Sequence, residues 1–363
     1  MTQHATLPLP VLAKALLKKS SSVVDSYKGK EILRSLRYHG ITELSYKQFE
    51  NKPKLHNALE ALSKESIAVE MSRSVEIEKL LKNLHALSID FLVFKGTALA
   101  YFLYRNAWQR PRSDTDILIN KNDLDKILEL FYELGYEQSI SISGKFVSYQ
   151  TTVTKQVSTQ FVHRVDIHWK INNRQILANC YSLDELLERS KNCTLLNQEM
   201  FIPNNIDSLI LACIHRIGHH ADNERIIWLY DIHLLAESLS HEKWAMLIAK
   251  VRKKNVSQIV FDGISTSNAL LDTKIDKSIY QALKKSLNTN EASAIFLDRE
   301  QGHFKLFFND LMFLPKWSQR LMLIKEHLVP DKEYLAAKSP SMPLSKAIFK
   351  RLIDRATKRK PKS

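Results

Sequence analysis

Glycine and proline are scarce in this sequence, with only 8 glycines and 10 prolines among 363 residues. This scarcity disfavours turn-rich β-sandwiches and glycine-rich dinucleotide-binding folds, and it favours long helices. Hydrophobic residues make up 44% of the chain and charged residues 25%, values near the globular average that exclude wholesale disorder. We therefore expect a folded and mainly helical chain, and its length allows two or three domains.

Cysteine is also rare, and its three copies, Cys180, Cys193 and Cys213, form no C-x-x-C pair. Their odd number and spacing argue against a disulfide framework and against a cysteine-rich zinc site. No window reaches the roughly 18 uncharged apolar residues that a membrane span requires. The first lysines follow the N-terminal apolar run instead of preceding it, which is the wrong order for a secretory signal. The expectation is a soluble, cytoplasmic protein without a transmembrane segment.

Positive charge is in excess, because 53 lysines and arginines against 39 acidic residues give a net charge of +14. An excess of this size favours polyanionic partners such as nucleotides, RNA or an anionic membrane face. Residues 347–363 alone carry seven lysines and arginines and one aspartate. This tail is compatible with binding to RNA phosphates, with binding to a membrane surface, or with a solvated terminus.

Hydrophobic periodicity divides the chain into helical and mixed parts. From Leu55 to Leu87, apolar residues recur at three- and four-residue steps, as on an amphipathic helix. Short apolar or alternating runs predict strands, and they fall at residues 91–94, 114–119, 146–153 and 160–169. Helical patterns return after residue 204.

This pattern predicts an α+β fold that is mostly helical, with a small mixed sheet between a helical N-terminal arm and a helical C-terminal domain. The expected organisation has four parts: a helical N-terminal region at residues 1–75, a sheet-containing domain at 76–203, a helical C-terminal domain at 204–340 and a basic tail at 341–363.

The strongest chemical signal is a pair of acids, Asp114 and Asp116, at the start of a predicted strand. Alternate residues of a strand point to one face, so the two carboxylates lie side by side, roughly 6–7 Å apart along the backbone. Like charges in this arrangement repel each other unless a divalent cation bridges them, and hard oxygen ligands suit Mg²⁺. The pair alone is a weak signal, since the ends of strands often carry two solvated acids.

A third acid, Asp166, interrupts the apolar alternation of a later predicted strand, where it shares a face with His168. A carboxylate inside a sheet is costly unless it is paired or bound to a metal. If this strand is a neighbour of the first, three carboxylates converge as two-metal phosphoryl transfer requires. His168 is interpreted either as part of that site or as a satisfied core histidine.

A turn from strand to helix precedes the acids at Lys95, Gly96 and Thr97. Backbone N–H groups at a helix N-terminus bind phosphate, and Gly96 permits close backbone approach. The Thr97 hydroxyl is suited both to capping the helix and to touching a phosphate, whereas Lys95 is either a partner of the phosphates or a solvated strand end. We expect Arg110 to pair with a phosphate or a carboxylate, and Arg112 to be a surface charge.

These residues together resemble the signature of the uncharacterised nucleotidyltransferase-like family, within the DNA polymerase β-type nucleotidyltransferase superfamily. The similar segments are FKGTALA at residues 94–100, RPRSDTDILI at 110–119 and DIHW at 166–169, with a looser likeness over residues 211–233. Two features depart from the superfamily pattern. Thr97 replaces the usual glycine or serine after Gly96, and the interval from Gly96 to Asp114 is longer than in compact members.

The resemblance implies an enzyme with a nucleotidyltransferase palm at residues 76–203. Its reaction is the transfer of NMP from an NTP to an acceptor hydroxyl, with release of pyrophosphate and with Mg²⁺, or Mn²⁺ as a substitute, as cofactor. The implied catalytic and metal-binding residues are Asp114, Asp116 and Asp166. The implied substrate-binding residues are Lys95, Gly96, Thr97, Arg110 and His168.

The acceptor stays open at this point, because a small molecule, a protein side chain and an RNA 3′ end would all use the same metal core. Base preference and oligomeric state are open as well. Two other functional classes compete with the enzyme. One is a catalytically silent nucleotidyltransferase-fold module of the toxin–antitoxin kind, against which the presence of all three acids argues. The other is an RNA-binding protein that uses the basic C-terminal part.

Overall fold

The computed structural model describes residues 7–17, 24–140, 144–218, 224–298, 302–329, 334–335 and 346. Fifteen α-helices and seven β-strands lie in these ranges. The predicted basic tail at 341–363 lies outside the described residues, apart from Lys346. The prediction of a mostly helical α+β chain with one small mixed sheet is confirmed.

Four helices precede the sheet: α1 (Leu9–Leu16), α2 (Gly29–His39), α3 (Thr42–Ser45) and α4 (Pro53–Ala86). Helix α4 is 34 residues long and begins at a proline, whose fixed φ suits the first turn. Leu55 and Leu59 in its first half pack in a core with α1 and α2, whereas Leu80 and Leu84 pack under the sheet. The helix therefore passes without a break through the predicted boundary at residues 75 and 76.

The central sheet and its connections follow α4. The elements are β1 (Phe91–Phe94), α5 (Lys95–Phe102), β2 (Thr115–Ile119), α6 (Leu124–Glu133), β3 (Glu137–Gln138), β4 (Gln150–Ser158) and β5 (Phe161–His168). The strands are ordered β1-β2-β5-β4-β3, and the central β2–β5 pair is parallel while the other neighbours are antiparallel. The mixed sheet predicted from the sequence is thus present, with its two central strands in direct contact.

The alternation of side chains along the strands buries both faces of the sheet. Val93 and Ile117 belong to the core that also holds Leu80 of α4. Leu92 and Leu118 belong instead to the core of the C-terminal helices. Asp116 and Asp166 alternate with Ile117 and Ile167 of the first core, so they lie on the face of the sheet that is turned toward the C-terminal helices.

The remaining elements are α7 (Gln175–Ala178), α8 (Leu183–Glu188), β6 (Lys191–Leu195), β7 (Gln198–Ile202), α9 (Asn205–Gly218), α10 (Ile226–Glu237), α11 (His241–Lys253), α12 (Ser257–Leu271), α13 (Lys277–Lys285), α14 (His303–Phe313) and α15 (Trp317–Leu328). Strands β6 and β7 form a separate two-stranded sheet that the sequence analysis did not anticipate. In the described part of the chain, no helix has both the length and the apolar composition needed to cross a membrane.

Candidate active site

The register of the parallel β2–β5 pair places Asp116 directly beside Asp166. Two residues further along, Leu118 is paired with His168. On the other side of β2, Asp116 is paired with Phe94, the last residue of β1, so that Lys95 follows immediately at the same edge. The condition set in the sequence analysis, that the two acid-bearing strands are neighbours, is therefore met.

Three side chains at this edge are close enough to share one cation. One ligand atom each from Asp116, Asp166 and His168 lies within 4.8 Å of the other two. Asp116 and His168 are buried, with the His168 Nε2 atom 2.9 Å from Asp116 Oδ1. Two carboxylates and one imidazole form a donor set that suits a divalent metal ion.

The Lys95 ammonium lies close to two of these side chains, those of Asp116 and His168. Its Nζ atom lies 2.8 Å from Asp116 Oδ1 and 3.2 Å from His168 Nε2. The backbone of Lys95 has φ +52°, a left-handed conformation that residues other than glycine adopt at an energetic cost. This conformation turns the chain from β1 into α5, and the ammonium at the turn neutralises Asp116.

Asp116 and His168 are both held in forms that suit a ligand. Burial opposes ionisation of Asp116, but the Lys95 ammonium and the His168 hydrogen bond outweigh it and hold the pKa of Asp116 well below its usual range. Burial, together with the nearby Lys95 charge, lowers the pKa of His168. His168 is therefore a neutral imidazole at physiological pH, and a neutral imidazole has the lone pair that metal binding needs.

Asp166 is oriented by two side chains of the neighbouring strand β4. The Thr152 hydroxyl donates to Asp166 Oδ1 at 2.6 Å, and Gln150 Nε2 donates to Asp166 Oδ2 at 3.2 Å. These bonds hold the half-buried carboxylate at the strand edge beside Asp116.

Asp114 lies just before β2 and outside the set of three ligand atoms. Its carboxylate accepts a hydrogen bond from the Ser113 hydroxyl at 3.1 Å. Burial, then repulsion by Asp116 and Asp166, raises the pKa of Asp114 to about 6. Asp114 therefore lies close enough to Asp116 and Asp166 for their charges to act on its carboxyl group.

The structure places Thr97 inside the protein, with its hydroxyl already in use. The hydroxyl accepts a hydrogen bond from Arg112 Nε at 3.0 Å and lies 3.3 Å from the Asp114 carbonyl oxygen, to which it donates. Thr97 therefore fixes the backbone that carries Asp114. A phosphate would reach this hydroxyl only if one of these bonds opened.

Gly96 and Arg110 contact each other. A Cβ atom added to Gly96 would lie 2.7 Å from an Arg110 guanidinium nitrogen. That guanidinium is buried and pairs with Asp231 of α10 through bonds of 2.7 and 3.3 Å, and Tyr104 donates to the same carboxylate at 2.7 Å. Of the two partners expected for Arg110, the structure shows the carboxylate, that of Asp231.

The sequence analysis missed a buried ionic cluster that is centred on Glu70 of α4. Glu70 accepts hydrogen bonds from Arg112 at 2.8 Å, Arg73 at 2.9 Å and Tyr101 at 2.6 Å. The expectation of Arg112 at the surface is wrong, since its side chain is only 1% exposed. A signal was available, because Glu70 and Arg73 precede Ile77 on α4 at the three- and four-residue steps that define its buried face.

Paired acids on neighbouring strands beside a strand-to-helix turn are what the resemblance noted in the sequence implies for a nucleotidyltransferase. Comparison with protein families agrees: the family described as uncharacterised nucleotidyltransferase matches residues 26–272, and the chain belongs to that family. The resemblance read from the sequence is thereby confirmed. A comparison with curated proteins gave no significant match.

Solved structures supply distant likenesses. An antigenic nucleotidyltransferase-like protein from Paracoccidioides brasiliensis is 12% identical, with a TM-score of 0.36 over 58% of this chain and 97% of that one. A Helicobacter pylori protein provisionally named a nucleotidyltransferase is 14% identical, with a TM-score of 0.32 over 66% of this chain and 99% of that one. JHP933 from Helicobacter pylori is 14% identical, with a TM-score of 0.30 over 65% of this chain and 93% of that one.

Proposed function

We propose that the protein is a cytoplasmic, metal-dependent nucleotidyltransferase that moves NMP from an NTP to a hydroxyl group of an acceptor and releases pyrophosphate. The observation that supports the proposal is the convergence of Asp116, Asp166 and His168 on the adjacent strands β2 and β5, beside the Lys95 turn. Membership of the nucleotidyltransferase family favours this chemistry over other uses of an acidic site.

The residues fit a divalent cation such as Mg²⁺ or Mn²⁺. Asp116 and Asp166 would hold it through carboxylate oxygens and His168 through an imidazole nitrogen, and Asp114 offers a further carboxylate beside them. When bound, such a cation neutralises charge on the triphosphate and makes an acceptor hydroxyl easier to deprotonate.

The protein's own groups would bind and orient the reactants. The acceptor oxygen forms a bond to the α-phosphorus while the bond from that phosphorus to its bridging oxygen breaks, and pyrophosphate leaves with the electron pair. We assign the acceptor's proton to Asp166, which Thr152 and Gln150 hold in place. Lys95, the cation nearest to Asp116, is placed to neutralise phosphate oxygens, with Gly96 and Thr97 shaping the turn around it.

The test is nucleotidyl transfer by the intact chain. Each α-³²P-labelled NTP is incubated with Mg²⁺ and cell extract, and RNA, protein and small molecules are then separated to find the labelled fraction. Asp116→Asn is expected to lower transfer by at least about 100-fold, because it removes a charge on which metal and phosphate binding depend.

Asp125→Asn is the matched control, because Asp125 is an exposed aspartate on α6, away from the site. It should transfer label at the wild-type rate. Full activity of Asp116→Asn, or equal transfer in the presence of EDTA, would refute the metal assignment.

A further inference from the structure

The α14–α15 hairpin, which covers residues 303–329, carries an unusual share of the exposed apolar surface. Eight of the fifteen exposed large apolar side chains in the described part of the chain lie within its residues 304–329. The other seven are scattered between residues 71 and 246, as is normal for a protein surface. A concentration of exposed apolar side chains marks a surface that binds a partner or a membrane.

These apolar side chains share one side of each helix. Phe304, Phe308 and Met312 are spaced four residues apart on α14, and all three are exposed. Trp317 and Leu321 have the same spacing on α15 and are exposed as well. The hairpin therefore presents an apolar stripe on each of its two helices.

The opposite sides of the two helices are packed. Leu306 of α14 belongs to the core of the C-terminal helices, and Leu323 of α15 is buried. The rings of Phe307 and His327 lie 4.6 Å apart and join the start of α14 to the end of α15. The stripes are thus the outer side of a hairpin that is held on its inner side.

Both acids of the hairpin are bonded to the body of the protein. Asp310 accepts hydrogen bonds from the Gln175 backbone N–H at 2.8 Å and from Arg174 at 3.1 Å. Glu326 accepts hydrogen bonds from the backbone N–H groups of residues 145–147 at 2.7 to 3.0 Å. Residues 303–329 contain no other aspartate or glutamate. The hairpin therefore adds no negative charge of its own to the apolar stripes.

The exposed charges of the hairpin are positive. Lys316 and Lys325 are exposed on the loop into α15 and on α15 itself. Lys305 on α14 is exposed too, and it pairs with Asp298 at 3.0 Å. An apolar surface with lysines around it complements a surface that is apolar inside and anionic outside.

Among possible occupants, an anionic bilayer fits this surface better than a second copy or RNA. Two copies of the chain would bring the same lysines face to face, which opposes association. Met312 and Leu321 have no ring on which a nucleic-acid base could stack. Trp317 is suited to the interface of a bilayer, and the Arg320 guanidinium lies 4.9 Å from the centre of its ring.

We propose that the α14–α15 hairpin binds the surface of an anionic lipid bilayer. Phe304, Phe308, Trp317 and Leu321 enter the boundary between headgroups and acyl chains, and the lysines contact the headgroups. The helices lie along the surface and do not cross it. The seven lysines and arginines of residues 347–363 follow the hairpin in the chain and add to the attraction. This binding does not depend on the proposed nucleotidyl transfer.

The test is co-sedimentation of the full chain with sucrose-loaded vesicles of phosphatidylcholine that contain about 30% phosphatidylserine. The wild type is expected to sediment with these vesicles. Its binding should be at least about fivefold weaker to phosphatidylcholine alone, and also in high salt, because both remove the electrostatic attraction.

The apolar contribution is tested by the triple variant Phe304→Ser, Trp317→Ser and Leu321→Ser, whose side chains are 79%, 75% and 64% exposed. It keeps every charge of the chain but removes apolar area that enters the bilayer. Its binding to the anionic vesicles should be at least about tenfold weaker than that of the wild type.

The matched control removes three exposed apolar side chains elsewhere, in the triple variant Met71→Ser, Ile140→Ser and Met246→Ser. These side chains are 66%, 62% and 56% exposed. The control should bind the vesicles as the wild type does. Both triple variants alter exposed positions, so both should unfold close to the wild-type melting temperature.

Trp317 reports directly whether the hairpin enters the lipid. It is the exposed one of the five tryptophans. Phosphatidylcholine brominated on its acyl chains should quench the wild-type fluorescence, and Trp317→Phe should remove that quenching while the protein still binds. Binding without quenching would assign the attraction to the basic tail and overturn the proposal.

Two further results overturn the proposal: a wild type that does not bind the anionic vesicles, and a folded hairpin variant that binds them as the wild type does. Sedimentation velocity and binding of labelled single-stranded RNA, each compared between the wild type and the hairpin variant, then show whether a second copy or RNA covers the stripes.

Discussion

Two aspartates that are only two residues apart respond to burial in opposite ways. Asp116 is held ionised because Lys95 and His168 outweigh its desolvation. At Asp114, burial and the two neighbouring carboxylates raise the pKa, and their combined effect is larger than the lowering effect of the Lys95 charge. The pKa of Asp114 is therefore raised to about 6. Neighbouring acids with separated pKa values are typical of catalytic sites, where one group must stay charged while another exchanges a proton.

The raised pKa of Asp114 makes the stability of the protein depend on pH. The pKa rises from an ordinary value near 4 in the unfolded chain to about 6 in the folded one. The folded state then binds the extra proton between these values, so the wild type loses stability as the pH rises from about 4 to about 6. Above pH 6 the loss stays constant.

Asp114→Asn should remove this loss. The variant is expected to exceed the wild type by about 1–2 kcal/mol in free energy of unfolding at pH 7.5, because the partial exposure of Asp114 reduces the full effect of the pKa shift. The two proteins should be equally stable near pH 4. Urea unfolding at pH 4, 6 and 7.5 measures the difference, with Asp125→Asn as the exposed control. Parallel pH profiles for Asp114→Asn and the wild type would contradict the assignment.

At the scale of elements, local patterns in the sequence predicted most of the strands and helices. The apolar runs at 91–94 and 114–119 and the alternation at 160–169 correspond to β1, β2 and β5 in the structure. They could be predicted because hydrophobic periodicity and turn residues are local properties of the sequence. The third acid was placed correctly beside the second on the condition that their strands are neighbours, and β2 and β5 are.

Contacts between distant elements could not be predicted in this way. Arg110 pairs with Asp231, which lies 121 residues away in the sequence, and Arg112 pairs with Glu70, which lies 42 residues away. The partner of each arginine lies in a distant segment, and only the packing of α4 and α10 against the segment before β2 brings the two members of each pair together. The β6–β7 hairpin, whose strands are each five residues long, was also missed, although its two strands are adjacent in the sequence.

The ion pair between Arg110 and Asp231 joins the segment before β2 to α10. Removing it should lower the free energy of unfolding. Asp231→Ala leaves the Arg110 guanidinium and the Tyr104 hydroxyl buried without their shared acceptor. We expect a loss of about 3–5 kcal/mol, because a buried charge without its partner is far less favourable than an apolar pair. Replacing both residues, as Arg110→Met with Asp231→Leu, should restore much of that stability.

Urea unfolding at constant pH measures these differences for the single and the double variant. The Asp125→Asn substitution serves again as the surface reference, expected within about 0.5 kcal/mol of the wild type. If the single Asp231→Ala variant is as stable as the wild type, the ion pair does not hold α10 against the segment before β2.

At the scale of the whole molecule, the site lies where the layers of the protein meet, so ligand binding should stabilise the entire fold. ATP with Mg²⁺ at 100 times its dissociation constant would add about 2.7 kcal/mol. The expected result is a rise in melting temperature with ATP and Mg²⁺, no rise with ATP and EDTA, and no metal-dependent rise in Asp116→Asn. Equal stabilisation by ATP in EDTA would place the nucleotide in a different pocket.

Helix α4 spans about 50 Å, since its 34 residues each add about 1.5 Å. A shortened protein that starts at residue 76 would keep every acid of the site yet lose Glu70 and Arg73, which leaves the guanidinium of Arg112 without its counter-ion. The smallest fragment worth expressing therefore starts upstream of Pro53, where this helix begins.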